Sequence, residues 1–327
     1  MGLLTEIRPQ RELFQANSNG VALVLVLWVI VMLTVMAASF SLNMRREINL
    51  VGYARASATA GSVAEAGIYY AMLRLLETDI QKKWRSDGSV YEFYFAGARV
   101  RVRVFDEAGK FNLNYLSETL AHHLLQSLGT EVEEAGIADA ILDWVDSDEF
   151  KRPSGAEADE YLAAGLDYGP RNQPFRSIQE LQLVLGVSGD LYRKLEPMVT
   201  VYTLSSGMDP TTASEKVLRI LPGVTEEIID IYLEERTNNA LNNLPPPQFP
   251  VQIPDVEFTS ADGNTFDVYS EALFPDGRRA AISTVIRKTT NSDKPFKFLE
   301  WKRIFPGKDS LFGESVVVVG QAGVDQS

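Results

Sequence analysis

Carboxylate side chains are concentrated in one short segment in the middle of the chain, residues 143–160, here called the acidic segment. Its seven acids are Asp143, Asp146, Asp148, Glu149, Glu157, Asp159 and Glu160. Calcium takes about six to eight oxygen ligands from a flexible loop, and such a segment can supply several of them. The spacing is not that of an EF-hand, and a solvated acidic helix end would show the same composition. The local pattern therefore leaves a calcium loop and a solvated surface as alternatives.

Residue types suited to catalysis are scarce. His122 and His123 are the two histidines, and adjacent positions on a helix point about 100° apart, so the pair is poorly placed to bind one metal ion. The chain lacks cysteine, which excludes disulfides and thiolate catalysis. No phosphate-binding loop, dinucleotide fingerprint or nucleophile elbow follows a predicted strand. Paired acids can serve a hydrolase, but no sugar-binding aromatic platform accompanies these. We therefore predict a protein that is not an enzyme.

Charge argues against a nucleic acid partner. The formal net charge is -13 and the isoelectric point is near 4.8, whereas phosphate binding depends on clustered Lys and Arg. Three arginines do alternate with valines over residues 99–104, and we interpret them as the solvated face of a strand. With 327 residues, the chain can bury one or two hydrophobic cores.

An uncharged apolar run, VALVLVLWVIVMLTVMAASF, occupies residues 21–40. At about 1.5 Å per residue such a helix spans about 30 Å, the thickness of the hydrocarbon core of a bilayer. A polar leader, residues 1–20, precedes the run and ends in Asn-Ser-Asn-Gly. This arrangement predicts cleavage between Gly20 and Val21, ahead of the membrane segment. A generic signal-anchor is the alternative, and the positive-inside rule does not fix the orientation, because arginines lie on both sides.

The elements that follow predict a sheet split by helices. Small and apolar residues recur every three or four positions to about Glu77, which predicts one long N-terminal helix. Alternating residues on both sides of Ala96-Gly97 predict a hairpin, and a long helical region separates it from the next strands. Those later strands are predicted at residues 266–274, 280–287 and 296–305.

Two segments offset by 37 residues look like distant copies of a helix, a glycine turn and a second helix. The first turn reads Gly186-Val187-Ser188-Gly189 and the second Pro222-Gly223-Val224-Thr225. This is a helix-hairpin-helix pattern, which in DNA-binding proteins holds phosphate through a Gly-x-Gly turn. Neither copy keeps that turn, and acids at the following helix starts would repel phosphate. We therefore predict that both copies pack against protein.

The junction at Gly20 resembles that of type IV prepilins and pseudopilins, whose leader is removed after the glycine. Most members have glutamate at the fifth mature position, where this chain has Leu25, and its absence is a mark of the K-type minor pseudopilins of type II secretion. The GKFNLN segment at 109–114 and the sequence from Asp143 are also similar to that family. The signature residues present are Asp143, Trp144, Asp146, Asp148, Gly155, Glu157, Tyr161, Ser177, Glu180 and Leu181.

This resemblance implies an α+β fold of the type IV pilin kind, in which a long N-terminal helix packs on an antiparallel sheet. A large inserted all-α domain would contain the helix-hairpin-helix-like modules. The implied boundaries are a leader at 1–20, a transmembrane helix at 21–40, a periplasmic helix at 41–85, the first part of the sheet at 86–108, the inserted domain at 109–240, and a linker with the remaining strands at 241–327.

The resemblance also implies a function. A K-type minor pseudopilin caps the tip of the pseudopilus with other minor pseudopilins and initiates its assembly for protein export. Its location would be the bacterial inner membrane, single-pass, with a periplasmic C-terminal domain. Inner-membrane assembly proteins and the prepilin peptidase would be further partners, and the new terminus would be methylated. Ca²⁺ in the inserted domain is a family trait, which implies ligand roles for Asp146, Asp148, Glu157 and Asp159. The competing hypothesis is a membrane-anchored DNA-binding protein of the competence type.

Overall fold

The computed structural model describes residues 19–129, 134–261, 263–304, 310–312 and 317–321, so most of the predicted leader lies outside it. In the described part the helices are α1 (Asn19–Leu75), α2 (Glu118–Ser127), α3 (Glu134–Val145), α4 (Ala158–Ala163), α5 (Gly189–Leu195), α6 (Glu215–Arg219) and α7 (Glu226–Leu241). The strands there are β1 (Asp87–Phe95), β2 (Ala98–Asp106), β3 (Phe111–Asn112), β4 (Val199–Thr200), β5 (Thr265–Leu273), β6 (Arg279–Lys288), β7 (Phe296–Ile304) and β8 (Val318–Gln321).

The chain divides into two units, one ending at Ala56 and the other beginning at Ser57. In the first unit, α1 carries the apolar run, with a mean hydropathy of 2.9 in its most apolar window. The side chains of residues 21–40 are exposed. Because exposed apolar side chains of this length match a lipid environment, this part of α1 fits a single-pass membrane anchor.

The second unit is built on a sheet with the order β7-β6-β5-β2-β1-β8, counted over the described residues. Neighbouring strands are antiparallel, except that β8 runs parallel to β1. Ala96 and Gly97 both have positive φ, as a two-residue turn of a β-hairpin requires. The predicted hairpin and the three later strands are thus present, whereas β8 and the short β3–β4 pair were not predicted.

The C-terminal part of α1 packs on this sheet through small and apolar side chains. One hydrophobic core combines Ala64, Ile68 and Ala71 of α1 with Val100 and Val102 of β2, among others. Gly67 allows the close approach, because a Cβ there would overlap the Ser270 side chain. The pilin-like pairing of helix and sheet follows from these small residues.

A helical insertion, the chain between β2 and β5, forms a second hydrophobic core of its own. Both predicted hairpin copies are present, with positive φ at Gly186 and Gly223 in the turns. The side chains of Ser188 and Thr225 cap the starts of α5 and α7 by accepting backbone N–H bonds. The first copy opens with a 3-10 helix, Ile178–Leu183, instead of an α-helix.

The arginines of β2 do not form the solvated face that the alternation predicted. Arg101 pairs with Glu92, and both side chains are only 13% exposed. The guanidinium carbon of Arg103 lies 6.0 Å from the ring centre of Phe105 and 5.2 Å from that of Phe312. The prediction was wrong because β2 is a central strand and residues of the insertion and of the C-terminal segment lie against this face.

A buried ionic cluster, here called the Lys110 cluster (Glu107, Lys110 and Asp267), joins the insertion to the sheet. Lys110 Nζ donates to Glu107 Oε1 at 2.6 Å and to Asp267 Oδ2 at 2.8 Å. Thr200 of β4 donates to Glu107, and Tyr269 donates to Asp267. Burial raises the pKa of Glu107, while the charges of Asp267 and Glu107 outweigh burial and hold the pKa of Lys110 well above its usual value. The cluster therefore holds a charged lysine between two buried acids.

Candidate functional site

Asp143, in the last turn of α3, organises the acidic segment. Its side chain is fully buried, and its Oδ2 accepts a hydrogen bond from the backbone N–H of Ala156 at 3.0 Å. Arg152 Nη1 donates to Asp143 Oδ1 at 2.6 Å and also to Asp146. A Cβ at Gly155 would overlap the Asp143 carboxylate, so glycine is required there. Asp143 thus holds the chain at residues 152–156 against the end of α3.

Aromatic side chains form the floor beneath this segment. Trp144 stacks on Phe175 with ring centres 6.0 Å apart, and Tyr161 accepts a hydrogen bond from the N–H of Leu185 at 3.0 Å. Asn114 of the GKFNLN segment exchanges two hydrogen bonds with the backbone of Phe175, at 2.6 and 3.1 Å. These contacts hold the acidic segment against the hydrophobic core of the insertion.

Glu157, at the start of α4, is the most perturbed acid of the segment. It is 7% exposed, and its pKa is raised to about 7 by burial and by the charges of Asp143, Asp146, Asp148 and Glu149. Within the described part of the chain, Arg152 pairs with two of these acids, while no ion pair joins Asp148, Glu149 or Glu157 to a basic residue. The segment therefore carries negative charge that a bound cation would neutralise.

Three buried oxygens of the segment and its neighbour lack hydrogen-bond partners among the described residues. They are Asp146 Oδ1, Glu157 Oε1 and Asn172 Oδ1. An unsatisfied buried polar group typically costs about 1–3 kcal/mol. Asn172 is attached to the segment by its amide nitrogen, which donates to the backbone oxygen of Asp148 at 3.1 Å. All three atoms are carboxylate or amide oxygens, the type of ligand that a hard cation such as Ca²⁺ prefers.

The four predicted ligands do not share one environment. The charges of Asp146 and Asp148 contribute to the raised pKa of Glu157, and both Asp148 and Asp159 are exposed. Within the described ranges, no three of these carboxylates bring ligand atoms within 4.8 Å of one another. Asn172 was missed from sequence, where an amide in a polar turn carries no distinctive signal. Asn172 has a positive φ of 52°, and its side-chain amide donates to the backbone oxygen of Asp148. The ligand roles themselves stay a prediction.

Comparison with known proteins finds similar proteins in type II secretion. The model of the type II secretion system (T2SS), protein K, matches residues 109–204, which include the whole acidic segment. The type II secretion system protein K of Pseudomonas aeruginosa is 29% identical over 313 residues, which cover 83% of this chain and 89% of that protein. Over most of its length, this chain is similar to a type II secretion system protein K. These matches support a minor pseudopilin of type II secretion, a structural component of a secretion system.

Other similarities agree with this assignment. The protein K of Pectobacterium carotovorum is 31% identical over 134 residues, 36% of this chain and 40% of that protein. A solved chain from the crystal structure of the GspK–GspI–GspJ complex of enterotoxigenic Escherichia coli is also similar, with 21% identity and a TM-score of 0.50. The match covers 80% of this chain and 100% of the solved chain. That likeness supports the pilin-like fold with an inserted helical domain.

The DNA-binding alternative is not supported by these comparisons, whose matches are proteins K of type II secretion. The geometry agrees, because α7, the longer of the two capped hairpin helices, begins with Glu226 and Glu227. Two carboxylates at a helix start repel the phosphate that a DNA-binding hairpin would hold there.

Proposed function

We propose that this minor pseudopilin K caps the tip of the periplasmic pseudopilus with other minor pseudopilins and initiates its assembly, without catalysing a reaction. The similar solved chain comes from a complex of GspK with GspI and GspJ. We extend that association to the corresponding proteins of this chain's own secretion system. Inner-membrane assembly proteins of the system would be further partners.

The helical insertion is the observation that carries the proposal. It has a hydrophobic core separate from that of the sheet, and the Lys110 cluster fixes it to β5. Because this insertion is bulky and firmly attached, we infer that no further subunit stacks beyond it, which places the protein at the filament tip. Leu25 supports the same position, since an apolar side chain cannot neutralise the amino terminus of a neighbouring subunit.

Membrane insertion and processing belong to the same proposal. The apolar part of α1 would cross the bacterial inner membrane once, with the second unit in the periplasm. Prepilin peptidase would cut between Gly20 and Val21, and the new terminus would be methylated. N-terminal sequencing of protein from strains with and without active peptidase tests this. An uncut leader in the strain with active peptidase would contradict it.

Complex formation tests the partnership directly. A chain beginning at Ser57 retains every buried core residue of the described structure, since the first of them is Ala60. We expect this chain and the soluble parts of the two corresponding minor pseudopilins to elute as one species in size-exclusion chromatography with light scattering. The soluble part of the major pseudopilin, mixed in the same way, is the control for nonspecific association. Separate elution of all three components would contradict the proposal.

We further propose that the acidic segment binds Ca²⁺ through Asp146, Asp148, Glu157 and Asp159, with Asn172 as an additional oxygen donor. Bound calcium would supply positive charge to the crowded carboxylates and so stabilise the segment. Calorimetric titration and thermal unfolding with calcium test this. We expect Glu157→Gln to weaken binding more than Asp159→Asn, because the Glu157 carboxylate is buried and its Oε1 has no hydrogen-bond partner among the described residues. The absence of both binding heat and a thermal shift at millimolar calcium would refute the proposal.

A further inference from the structure

A second group of metal-ligating side chains lies between α2 and α3, outside the acidic segment. Glu118 and His122 are four residues apart and therefore lie on one face of α2, and Asp139 faces them from α3. One ligand atom of each lies within 4.8 Å of the other two. We call these three residues the α2–α3 cluster.

Two of these ligand atoms are already held in place. His122 Nε2 lies 2.9 Å from Asp139 Oδ1, and Asp139 is only 4% exposed. The other oxygen of Asp139 accepts a hydrogen bond from the backbone N–H of Ser154 at 3.0 Å, which fixes the orientation of the carboxylate. Metal-binding side chains are commonly oriented by such outer hydrogen bonds.

The remaining side of the cluster is open. Glu118 is exposed and His122 is partly exposed, so an ion can reach the cluster from solvent and keep water ligands. A simpler account makes Glu118 a favourable charge at the start of α2 and leaves His122 and Asp139 as a hydrogen-bonded pair. That account explains each residue separately, but it gives no reason for the three ligand atoms to converge.

The donor set selects the kind of ion. One imidazole nitrogen with two carboxylate oxygens suits a divalent transition metal such as Zn²⁺, whereas Ca²⁺ prefers oxygen donors alone. We propose that Glu118, His122 and Asp139 bind Zn²⁺ or a similar divalent transition metal ion, which links α2 to α3. This site is chemically distinct from the acidic segment, although Ser154 connects the two.

Calorimetric titration of the full chain in detergent with zinc chloride tests the proposal, with calcium present in excess to occupy the acidic segment. We expect one Zn²⁺ per chain. Loss of an outer partner of a metal ligand alone typically costs about 10- to 100-fold in affinity, so His122→Asn should weaken binding at least about tenfold. His123→Asn is the matched control, because His123 is its partly exposed neighbour on the same helix and is outside the cluster.

Glu118→Gln provides a second variant, since an exposed side chain can be changed without disturbing a core. We expect it also to weaken Zn²⁺ binding while thermal unfolding without zinc stays unchanged. Equal affinity in the original chain and in both variants would overturn the proposal, as would no binding at about 100 μM zinc. A His123→Asn effect as large as that of His122→Asn would overturn the ligand assignment. None of these outcomes depends on tip assembly.

Discussion

At the residue scale, Glu157 links the chemistry of the acidic segment to its stability. Its pKa is about 7 in the folded chain against an ordinary value of 4.5. Between these two pH values the folded state holds a proton that the unfolded state has lost, so the free energy of unfolding falls as pH rises from about 4.5 to about 7. Calcium bound to the ionised carboxylate should remove this fall in the free energy of unfolding.

The first prediction therefore concerns pH. In the presence of a calcium chelator, Glu157→Gln should flatten the decline in unfolding free energy between pH 5 and pH 8 by about 1–3 kcal/mol. Chemical denaturation of the chain beginning at Ser57 measures this, with Asp159→Asn as a control that should keep the decline. An unchanged slope in Glu157→Gln would show that Glu157 does not ionise as described.

The second prediction concerns the contact between Gly155 and Asp143. Gly155→Ala should destabilise the protein by about 1–3 kcal/mol, because the added Cβ overlaps a fully buried carboxylate that must shift. It should also weaken calcium binding. Gly189→Ala is the control, since the nearest atom to its added Cβ is 3.8 Å away, and it should change stability by less than about 0.5 kcal/mol. Equal effects of the two substitutions would contradict the described packing.

At the element scale, the Lys110 cluster joins the insertion to the sheet, and removing its lysine leaves two buried acids unpaired. Lys110→Met should lower the free energy of unfolding by about 3–5 kcal/mol. Adding Glu107→Gln and Asp267→Asn should recover part of that loss, because the unpaired charges are then gone. Denaturant titration of the single and triple variants measures both effects.

The control is Arg278→Met, which breaks an exposed ion pair with Asp276 and should lower the free energy of unfolding by less than about 1 kcal/mol. A loss from Lys110→Met no larger than that control would contradict this role.

Elements with a local sequence signal were predictable, whereas features that depend on contacts between residues distant in the chain were not. The β1–β2 hairpin was predictable from alternation around Ala96-Gly97, and both helical hairpins from their glycines and capping residues. The exposure of the β2 arginines was predicted wrongly, because the insertion that covers that face is encoded elsewhere. β8 was missed for a similar reason, since a four-residue strand that pairs with the edge of β1 has no pattern of its own.

The candidate site shows the same contrast between local signals and distant contacts. Composition alone indicated the acidic segment, because its carboxylates are close in sequence. The roles of Arg152 and Asn172 were not predictable, since Arg152 bridges two acids across a loop and Asn172 reaches Asp148 over 24 residues. The Lys110 cluster was hidden for the same reason, because Lys110 and Asp267 are 157 residues apart.

At the scale of the whole molecule, the two units should separate functionally. The chain beginning at Ser57 should unfold with the same midpoint as the full chain in detergent, since residues 21–56 contribute no buried side chain to the described structure. It should not associate with lipid vesicles, whereas the full chain should. Comparison of thermal midpoints and a vesicle flotation assay test these two statements. A large loss of stability on truncation would show that the anchor supports the second unit.

The position of the protein in the filament is the most direct test of tip capping. Pseudopili assembled with an epitope-tagged form of this chain can be labelled with gold-conjugated antibody and viewed by electron microscopy. A tagged major pseudopilin serves as the control, and its label should follow the whole filament. We expect label from this chain at one end of each pseudopilus and none along its length. Label distributed along the filament would contradict it.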